Sequence, residues 1–441
     1  MIQSPVPKSP SPVTARPSAQ LVRAIGRWSL TALAINGMIG SGIFGLPSTI
    51  AGITGRLSPW AVVLAGLCTA VIVVCFAEVA SGFDRPGGPY LYARTAFGRF
   101  TGIQTGWMLW LTLATAPAAN ANLFVIYLGE FFPSVQAPLP RALVLTALIW
   151  LMAAINIAGV AAGARLSDLF TVSKLLPLFS IIAVGLVLHP HAPAVVATAA
   201  IPAGGWVKSV LLMFFAYGGF EGALLPMSEA KNPRRDAPFA LLAALGVACV
   251  VYSLVQWLVV SALPHPAAST RPLADLARLL AGPAGALFVT VGALLSVYGN
   301  VSARILSTPR VTLALAENGD APRWLAAVHQ RFRTPYASIL VFATAVWAFA
   351  LAGHFAWNVT LSAVARLFYY AVICAAVPVL RKQFPGRAQL RIPGGMLLPV
   401  LGVLICVGLF TQVDFKQSLI LGVTALLAAG NWLWARKANP D

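Results

Sequence analysis

Residues 40–47 read Gly-Ser-Gly-Ile-Phe-Gly-Leu-Pro and lie inside an apolar stretch that runs from about Leu30 to Ile53. Glycine and proline weaken a helix, and interrupted backbone at membrane depth is tolerated only where it is buried in protein or lines a cavity. The octet therefore predicts a binding site in a broken membrane-spanning helix. A helix that restarts at Ile43 would offer free N–H groups and a positive dipole end to an anion.

Two other interpretations of the octet were weighed. Residues 40–45 match the G-x-G-x-x-G dinucleotide fingerprint, which has meaning only after a strand and with an acidic residue about twenty positions further on. No acidic residue lies between Gly45 and Glu78, so a nucleotide site is rejected. Close helix packing through small residues is the alternative that stays open for Gly40–Gly42.

The composition predicts an all-α integral membrane protein. Of the 441 residues, 59% are hydrophobic and 10% are charged, whereas soluble domains are about one quarter charged. At about 20 apolar residues per span, the chain has room for about twelve transmembrane helices. The predicted spans are 29–54, 58–82, 101–128, 141–162, 167–188, 206–228, 238–262, 285–312, 336–353, 357–380, 396–413 and 417–435.

The net charge of +18 is distributed in clusters that occupy every second loop. This is the positive-inside pattern, which predicts the cytoplasmic (inner) membrane with both termini in the cytoplasm and argues against a nucleic-acid partner. Arg304 and Arg310 lie within span eight, and we attribute them to a cytoplasmic extension of that helix. The clusters are Arg85, Arg94, Arg99; Lys231, Arg234, Arg235; Arg304, Arg310, Arg323, Arg331, Arg333; and Arg381, Lys382, Arg387, Arg391.

A second interruption lies in span six, where residues 214–222 read Phe-Phe-Ala-Tyr-Gly-Gly-Phe-Glu-Gly. Glycine-interrupted spans in matching positions of two halves point to a transporter site. Breaks in spans one and six predict an inverted repeat of five plus five helices. The predicted regions are a disordered cytoplasmic tail (1–27), a first repeat (28–190), a second repeat (205–380), and two additional helices with a short tail (381–441).

No metal centre or organic cofactor is predicted. The five cysteines lie inside apolar segments without C-x-x-C spacing, so we interpret them as packing residues. His189 and His191 flank a proline in a predicted external loop, where histidines are more often solvated than ligating. The expected partners are the lipid bilayer and a small molecule, and the sequence does not indicate an oligomeric state.

Four motifs make the chain resemble the amino acid–polyamine–organocation permease family. The resemblance spans most of residues 28–390 in order and implies a twelve-helix permease that works by alternating access. The motifs are the first-helix signature at 36–44, the stretch from Glu78 to Phe97-Gly98 with Gly88-Pro89-Tyr90, the sixth-helix signature and exit loop at 214–233, and the loop after the eighth helix from Arg310 to Thr334-Pro335.

A zwitterionic amino acid needs donors for its carboxylate and acceptors for its ammonium. The N–H groups of Ser41 and Gly42 and the Ser41 hydroxyl can supply the donors, and unwound carbonyls in span six can supply the acceptors. The resemblance implies the same division. The predicted substrate-binding residues are Ile39, Ser41, Gly42, Phe215, Ala216, Tyr217, Gly218 and Phe220, with Tyr217 and Phe220 gating or lining the pocket. Weaker candidates for specificity are 115–120 in span three and Tyr298, Gly299 and Asn300 in span eight.

Lys174 is the predicted coupling residue. It lies about nine residues into span five, with no acidic residue nearby in the sequence. In proton-coupled relatives of this fold a lysine at the matching place supplies the positive charge that sodium supplies elsewhere. Protonated Lys174 would then join span one, near Asn36 and Ile39, to a span-eight hydroxyl such as that of Ser296. Snorkelling to the inner interface is the alternative.

Three further charges lie in or near the spans. Glu221, at membrane depth, is predicted either to take part in coupling or to cap the broken helix through its backbone N–H groups. Glu78 is predicted to be a structural partner for loop bases. Arg366, the counterpart of Lys174 in the inverted repeat, does not deprotonate near neutral pH. It is predicted to be paired structurally, for instance with a helix C-terminus, and pairing with an acidic substrate is the alternative.

These observations predict a non-enzymatic secondary active transporter of amino acids, with proton symport as the leading mechanism. The first alternative is an exchanger of an amino acid for its amine or for another amino acid. A membrane amino acid sensor and a membrane-embedded enzyme are further alternatives, and no nucleophile or acid–base pair that would serve an enzyme is visible in the sequence.

Overall fold

The computed structural model describes residues 25–83, 87–158, 163–188, 201–224, 227, 230–317 and 319–438, without the side chains of 163–174, 314 and 438. The predicted N-terminal tail lies almost wholly outside this part of the chain, as do His189 and His191. Lys174 lies in a described helix, but its side chain is outside the description.

The described residues form α-helices joined by short loops and 3-10 turns, which confirms the all-α prediction. They contain no β-strand, and the isolated bridge between Ile25 and Ala230 ties the start of the first helix to the loop before the ninth. The helices are α1 (Arg27–Met38), α2 (Ser41–Thr54), α3 (Ser58–Ser81), α4 (Gly88–Phe97), α5 (Arg99–Leu128), α6 (Pro138–Ala158), α7 (Gly163–Leu188), α8 (Gly205–Tyr217), α9 (Pro233–Ala262), α10 (Pro272–Glu317), α11 (Tyr336–Ala352), α12 (Phe355–Gln383), α13 (Leu397–Phe410) and α14 (Phe415–Ala438).

Eight helical segments in the described residues are long and apolar enough to cross a bilayer, and three shorter apolar helices accompany them. A helix satisfies its own backbone hydrogen bonds, which is why apolar sequence of this length folds this way in lipid. The chain is therefore a multi-pass membrane protein. Every predicted span overlaps one or two of these helices, while the count of twelve crossings and the inverted repeat stay predictions.

The first break lies two residues earlier than the sequence suggested. Helix α1 ends at Met38, Ile39 is extended, and α2 already begins at Ser41 rather than at Ile43. The first turn of a helix needs no hydrogen bond from its own N–H groups, so Ser41 and Gly42 can join the helix and still present those groups outward.

The second break lies where it was predicted. Helix α8 ends at Tyr217, Gly218 is extended, and Gly219 has a φ of 104° before a 3-10 turn begins at Phe220. Side chains with a Cβ rarely adopt that φ, so glycine is required at position 219.

The packing brings the two broken helices together. Helix α1 contacts α9 and the 3-10 turn after α8, while α2 contacts α8 itself. Helix α5 lies between α10, α12 and α4, and all three pack against it. Helices α10 and α12 also contact α2 and α8, respectively, so the space beside the two breaks is closed by α5, α10 and α12.

Helix α10 is longer than span eight. It begins at Pro272, kinks at Ala281–Gly282 and continues to Glu317. Arg310 is exposed near its end, which agrees with a helix extended beyond the apolar region. Arg304 does not follow that interpretation, because its side chain turns into the protein interior.

Glu78 has the structural partner that the sequence predicted. Its carboxylate accepts bonds from Nε of Arg381 at 2.5 Å and from Nη2 at 2.7 Å, and the backbone N–H of Ile392 adds a third donor at 2.8 Å. This two-pronged geometry fixes α3 to the end of α12.

A second buried acid anchors the loop after α10. The Asp320 side chain is fully buried and accepts hydrogen bonds from Arg94 at 2.8 Å, from Arg99 at 2.9 Å and from the Tyr90 hydroxyl. Burial, together with the hydrogen bond to Asp320, raises the pKa of Tyr90 to about 12, so the phenol stays a donor at neutral pH. The cluster ties this loop to α4 and α5.

Replacing Asp320 by asparagine should destabilise the protein by about 3 kcal/mol, because it removes a buried carboxylate that pairs with the guanidinium groups of Arg94 and Arg99. The denaturation midpoint of purified protein in detergent measures this. The matched control is Glu317→Gln, which neutralises an exposed acid at the end of α10 and should leave the midpoint unchanged. Equal midpoints for the two variants would contradict the anchoring role.

Candidate functional site

Glycines allow the two breaks to approach each other at backbone distance. A Cβ on Gly37 would lie 2.5 Å from the carbonyl oxygen of Gly219, and a Cβ on Gly42 would lie 2.7 Å from the Cβ of Ala216. Real Cβ atoms do not approach other atoms this closely. Gly42 therefore serves the close packing that was weighed as an alternative, and the same contact places the start of α2 beside the end of α8.

The start of α2 is an uncapped helix N-terminus. No side chain caps its first-turn N–H groups, and the Ser41 hydroxyl, which is buried, has no hydrogen-bond partner in the described part of the chain. Free N–H groups and the helix dipole together favour an anion. The donors predicted from the sequence are the N–H groups of Ser41 and Gly42 and the Ser41 hydroxyl. All of them lie at this helix end, without a side-chain acceptor among the described residues.

The second break is held by Glu221, which is 3% exposed. Its Oε2 accepts the backbone N–H of Gly219 at 2.9 Å, so it caps the broken helix as one of the two predictions stated. Its Oε1 accepts Nε of Arg366 at 3.0 Å and the hydroxyl of Tyr369 at 2.6 Å. The buried ion pair confirms that Arg366 is paired structurally.

The carbonyls beside the second break are partly occupied. Arg366 donates to the Phe215 carbonyl at 3.3 Å, and the Tyr252 hydroxyl lies 3.0 Å from the Ala216 carbonyl and 2.8 Å from that of Met38. The absence of a side chain at Gly218 leaves room for the Arg366 guanidinium, which would overlap any Cβ there. The sequence predicted the carbonyls of Phe215, Ala216 and Gly218 as ammonium acceptors, and the first two already have protein donors.

A small cavity of about 20 Å³, with room for about one water molecule, lies between the breaks and helices α5 and α10. Its walls include Gly40, Ser41 and Phe215 on the broken helices. Opposite them, Asn120 on α5 donates to the Oδ1 of Asn300 on α10 at 2.6 Å. Both asparagines belong to the weaker specificity candidates.

Arg304 also lines this cavity, together with Arg366. The sequence interpretation placed Arg304 in a cytoplasmic extension of span eight, and that was wrong. The signal that could have found it is its spacing of four residues from Asn300, which puts both side chains on one helix face. The distribution of positive charge among the loops does not show whether an individual arginine faces the protein interior.

The predicted residues fall into four groups. Ser41, Gly42 and Phe215 line the cavity, and Ile39, Ala216 and Gly218 are their immediate chain neighbours. Tyr217 instead reaches the Val62 carbonyl on α3, and Phe220 stacks on Tyr370, so the cavity walls do not include these two side chains. Ser296 has a buried hydroxyl without a partner among the described residues, and the Lys174 side chain lies outside them. No group of three potential metal ligands occurs in the described residues.

The sequence is similar to those of known membrane transporters. The sequence profile of a family described as "Amino acid permease" matches residues 25–420. The chain is 27% identical over 413 residues to the methylthioribose transporter of Bacillus subtilis, with 88% of each chain covered. It is 26% identical over 398 residues to the serine/threonine exchanger SteT of the same organism, covering 87% of this chain and 89% of that one. An uncharacterized transporter of Mycobacterium tuberculosis is 28% identical over 403 residues, with 88% and 86% covered.

The contact between the breaks gives a direct test. Gly42→Ala should destabilise the protein by about 1–3 kcal/mol, because the added Cβ would press on Ala216 and force α2 away from α8. Thermal denaturation in detergent measures the effect.

The matched control is Gly52→Ala in the same helix, where the added Cβ would meet its nearest neighbour, the Cβ of Ala267, at an ordinary 3.6 Å. Removing a helical glycine without a clash should stabilise slightly. A Gly42 variant as stable as the Gly52 variant would refute the close contact.

Proposed function

Because the chain belongs to the amino acid permease family, we propose that it is a secondary active transporter that moves amino acids by alternating access. Family and relatives together support membrane transport of amino acids or related substrates. The observation that carries the proposal is the pair of apposed breaks beside a small cavity. Irregular backbone of this kind at membrane depth is characteristic of transporter sites.

In this proposal the substrate carboxylate binds at the start of α2. The N–H groups of Ser41 and Gly42 and the free Ser41 hydroxyl donate to it, and burial strengthens such charge-assisted bonds. The Gly218 carbonyl is the acceptor for a substrate amine, because those of Phe215 and Ala216 already accept from protein side chains. Asn120 and Asn300 would contact the rest of the substrate and contribute to specificity.

Alternating access would then open the cavity to one side at a time. Each broken helix has a helical segment on either side of an extended residue, which forms a joint. The joint is Ile39 in the first broken helix and Gly218 in the second. Such a joint lets one helical segment tilt while the other stays packed, and the binding site stays at the joint. Glu221 holds the second joint and would transmit its movement to α12 through Arg366.

We propose proton symport as the coupling mechanism, with Lys174 as the titrating group. The support is its position in span five, the packing of α7 against α10, and the buried Ser296 hydroxyl on α10 that has no partner among the described residues. Desolvation at membrane depth would favour the neutral form of this lysine and let it release its proton within the physiological range. The proposed setting is the cytoplasmic membrane with both termini inside, from the distribution of positive charge.

Exchange of one substrate for another is the second candidate. One observation favours it: a relative of similar length and 26% identity is named a serine/threonine exchanger. The two mechanisms differ in what must be present on the far side of the membrane, since an exchanger needs a counter-substrate and a symporter needs only a proton gradient.

Purified protein in liposomes distinguishes the mechanisms. We expect uptake into empty liposomes with an alkaline interior, and Lys174→Ala should abolish the dependence of that uptake on the pH gradient. Fully pH-dependent uptake by the variant would exclude Lys174 as the coupling group. Uptake that requires internal substrate, and does not respond to the gradient, would establish exchange instead.

A further inference from the structure

Three charged side chains meet beside the cavity, and among the described residues their charges do not cancel. Glu221 is the single acid, whereas Arg366 and Arg304 are both cationic. Both carboxylate oxygens of Glu221 are already engaged by Arg366, Tyr369 and the N–H of Gly219. The cluster therefore carries one positive charge in excess.

Arg304 is the uncompensated charge. Within the described part of the chain it forms neither a hydrogen bond nor a salt bridge, although Glu221 lies near enough to attract it. Its guanidinium lies over the glycines of the second break: Nη2 is 3.4 Å from where a Cβ on Gly219 would be, and Nη1 is 3.7 Å from that of Gly222. The Arg304 guanidinium has five N–H donors. Leaving them without acceptors on a cavity wall at membrane depth costs free energy, unless a ligand accepts their hydrogen bonds.

The rest of the cavity adds further donors, whereas its acceptors are uncharged. The start of α2 contributes uncapped N–H groups and the free Ser41 hydroxyl. On the acceptor side, Arg366 occupies the Phe215 carbonyl and Tyr252 occupies the Ala216 carbonyl. The Asn120 Oδ1 is a buried acceptor without a partner, but it is uncharged. A neutral zwitterion would leave the excess positive charge unbalanced, whereas a net anion would cancel it.

We propose that this site selects a substrate of net charge −1, whose acidic groups are shared between the start of α2 and Arg304. The matching chemistry is a dicarboxylic amino acid, or a dicarboxylate monoanion without the amine. The inference rests on the proposed transport function and specifies its substrate class. Arg366 remains the structural partner of Glu221, and Arg304 is the residue that determines specificity.

The test compares each acid with its nearly isosteric amide in proteoliposomes at constant pH. Wild-type protein should take up glutamate or aspartate about 10- to 100-fold better than glutamine or asparagine, the range expected for a hydrogen-bonded charge pair. Arg304→Gln should remove that preference, and Arg304→Lys should keep most of it. Arg310→Gln, an exposed base on the same helix, should leave the preference unchanged.

Glutarate, which lacks the amine, separates the two substrate sources. Glutarate carries a charge of −2 at neutral pH and glutamate −1, so uptake of glutarate at a rate similar to glutamate would show that two carboxylates are recognised without the amine. Its exclusion would assign the site to amino acids, and both results agree with a net anion. Thermal stabilisation of the purified protein by the same compounds reports binding independently of flux.

Equal or better uptake of the amides by wild-type protein would overturn the inference and leave amino acid transport intact. An unchanged acid-to-amide ratio in Arg304→Gln, accompanied by a lower melting temperature, would also overturn it, since Arg304 would then only balance Glu221. If acids bind with the predicted preference but no substrate crosses the membrane, the transport function fails and the charge selectivity stands.

Discussion

The carboxylate of Glu221 is the constraint on which the rest of the site depends. A helix interrupted inside a membrane exposes backbone groups that lipid cannot satisfy, and each costs several kcal/mol if left alone. Glu221 accepts one such N–H at Gly219 and is itself neutralised by Arg366, with Tyr369 as a third donor. The second break can therefore persist at depth, and the first break packs against it.

The same glycines serve both packing and binding. Gly37 and Gly42 bring the two breaks into contact, and that contact is what places the uncapped start of α2 next to the end of α8. A cavity then remains because the extended residues Ile39 and Gly218 leave the helical path. The two interpretations that the sequence left open for the Gly-Ser-Gly segment describe one arrangement, in which close packing creates the donor side of the site.

Much of this could be predicted from the sequence, since apolar length and misplaced glycines report directly on membrane helices and their breaks. The direction of a side chain within a helix could not be determined by counting charges, which placed Arg304 in a cytoplasmic extension of span eight. The occupied carbonyls were also missed. Tyr252 and Tyr369 look like ordinary aromatics of apolar spans, because their partners are groups distant in sequence that become available only at the breaks.

A double-mutant cycle on Glu221 and Arg366 tests most directly whether their ion pair holds the second break. The free energy of unfolding would be measured in detergent for Glu221→Gln, Arg366→Gln and the double variant. The account predicts that Glu221→Gln is the most damaging, because it leaves two buried cations together, and that the double variant loses less than the sum of the singles. Additive losses, within about 0.5 kcal/mol, would contradict the account.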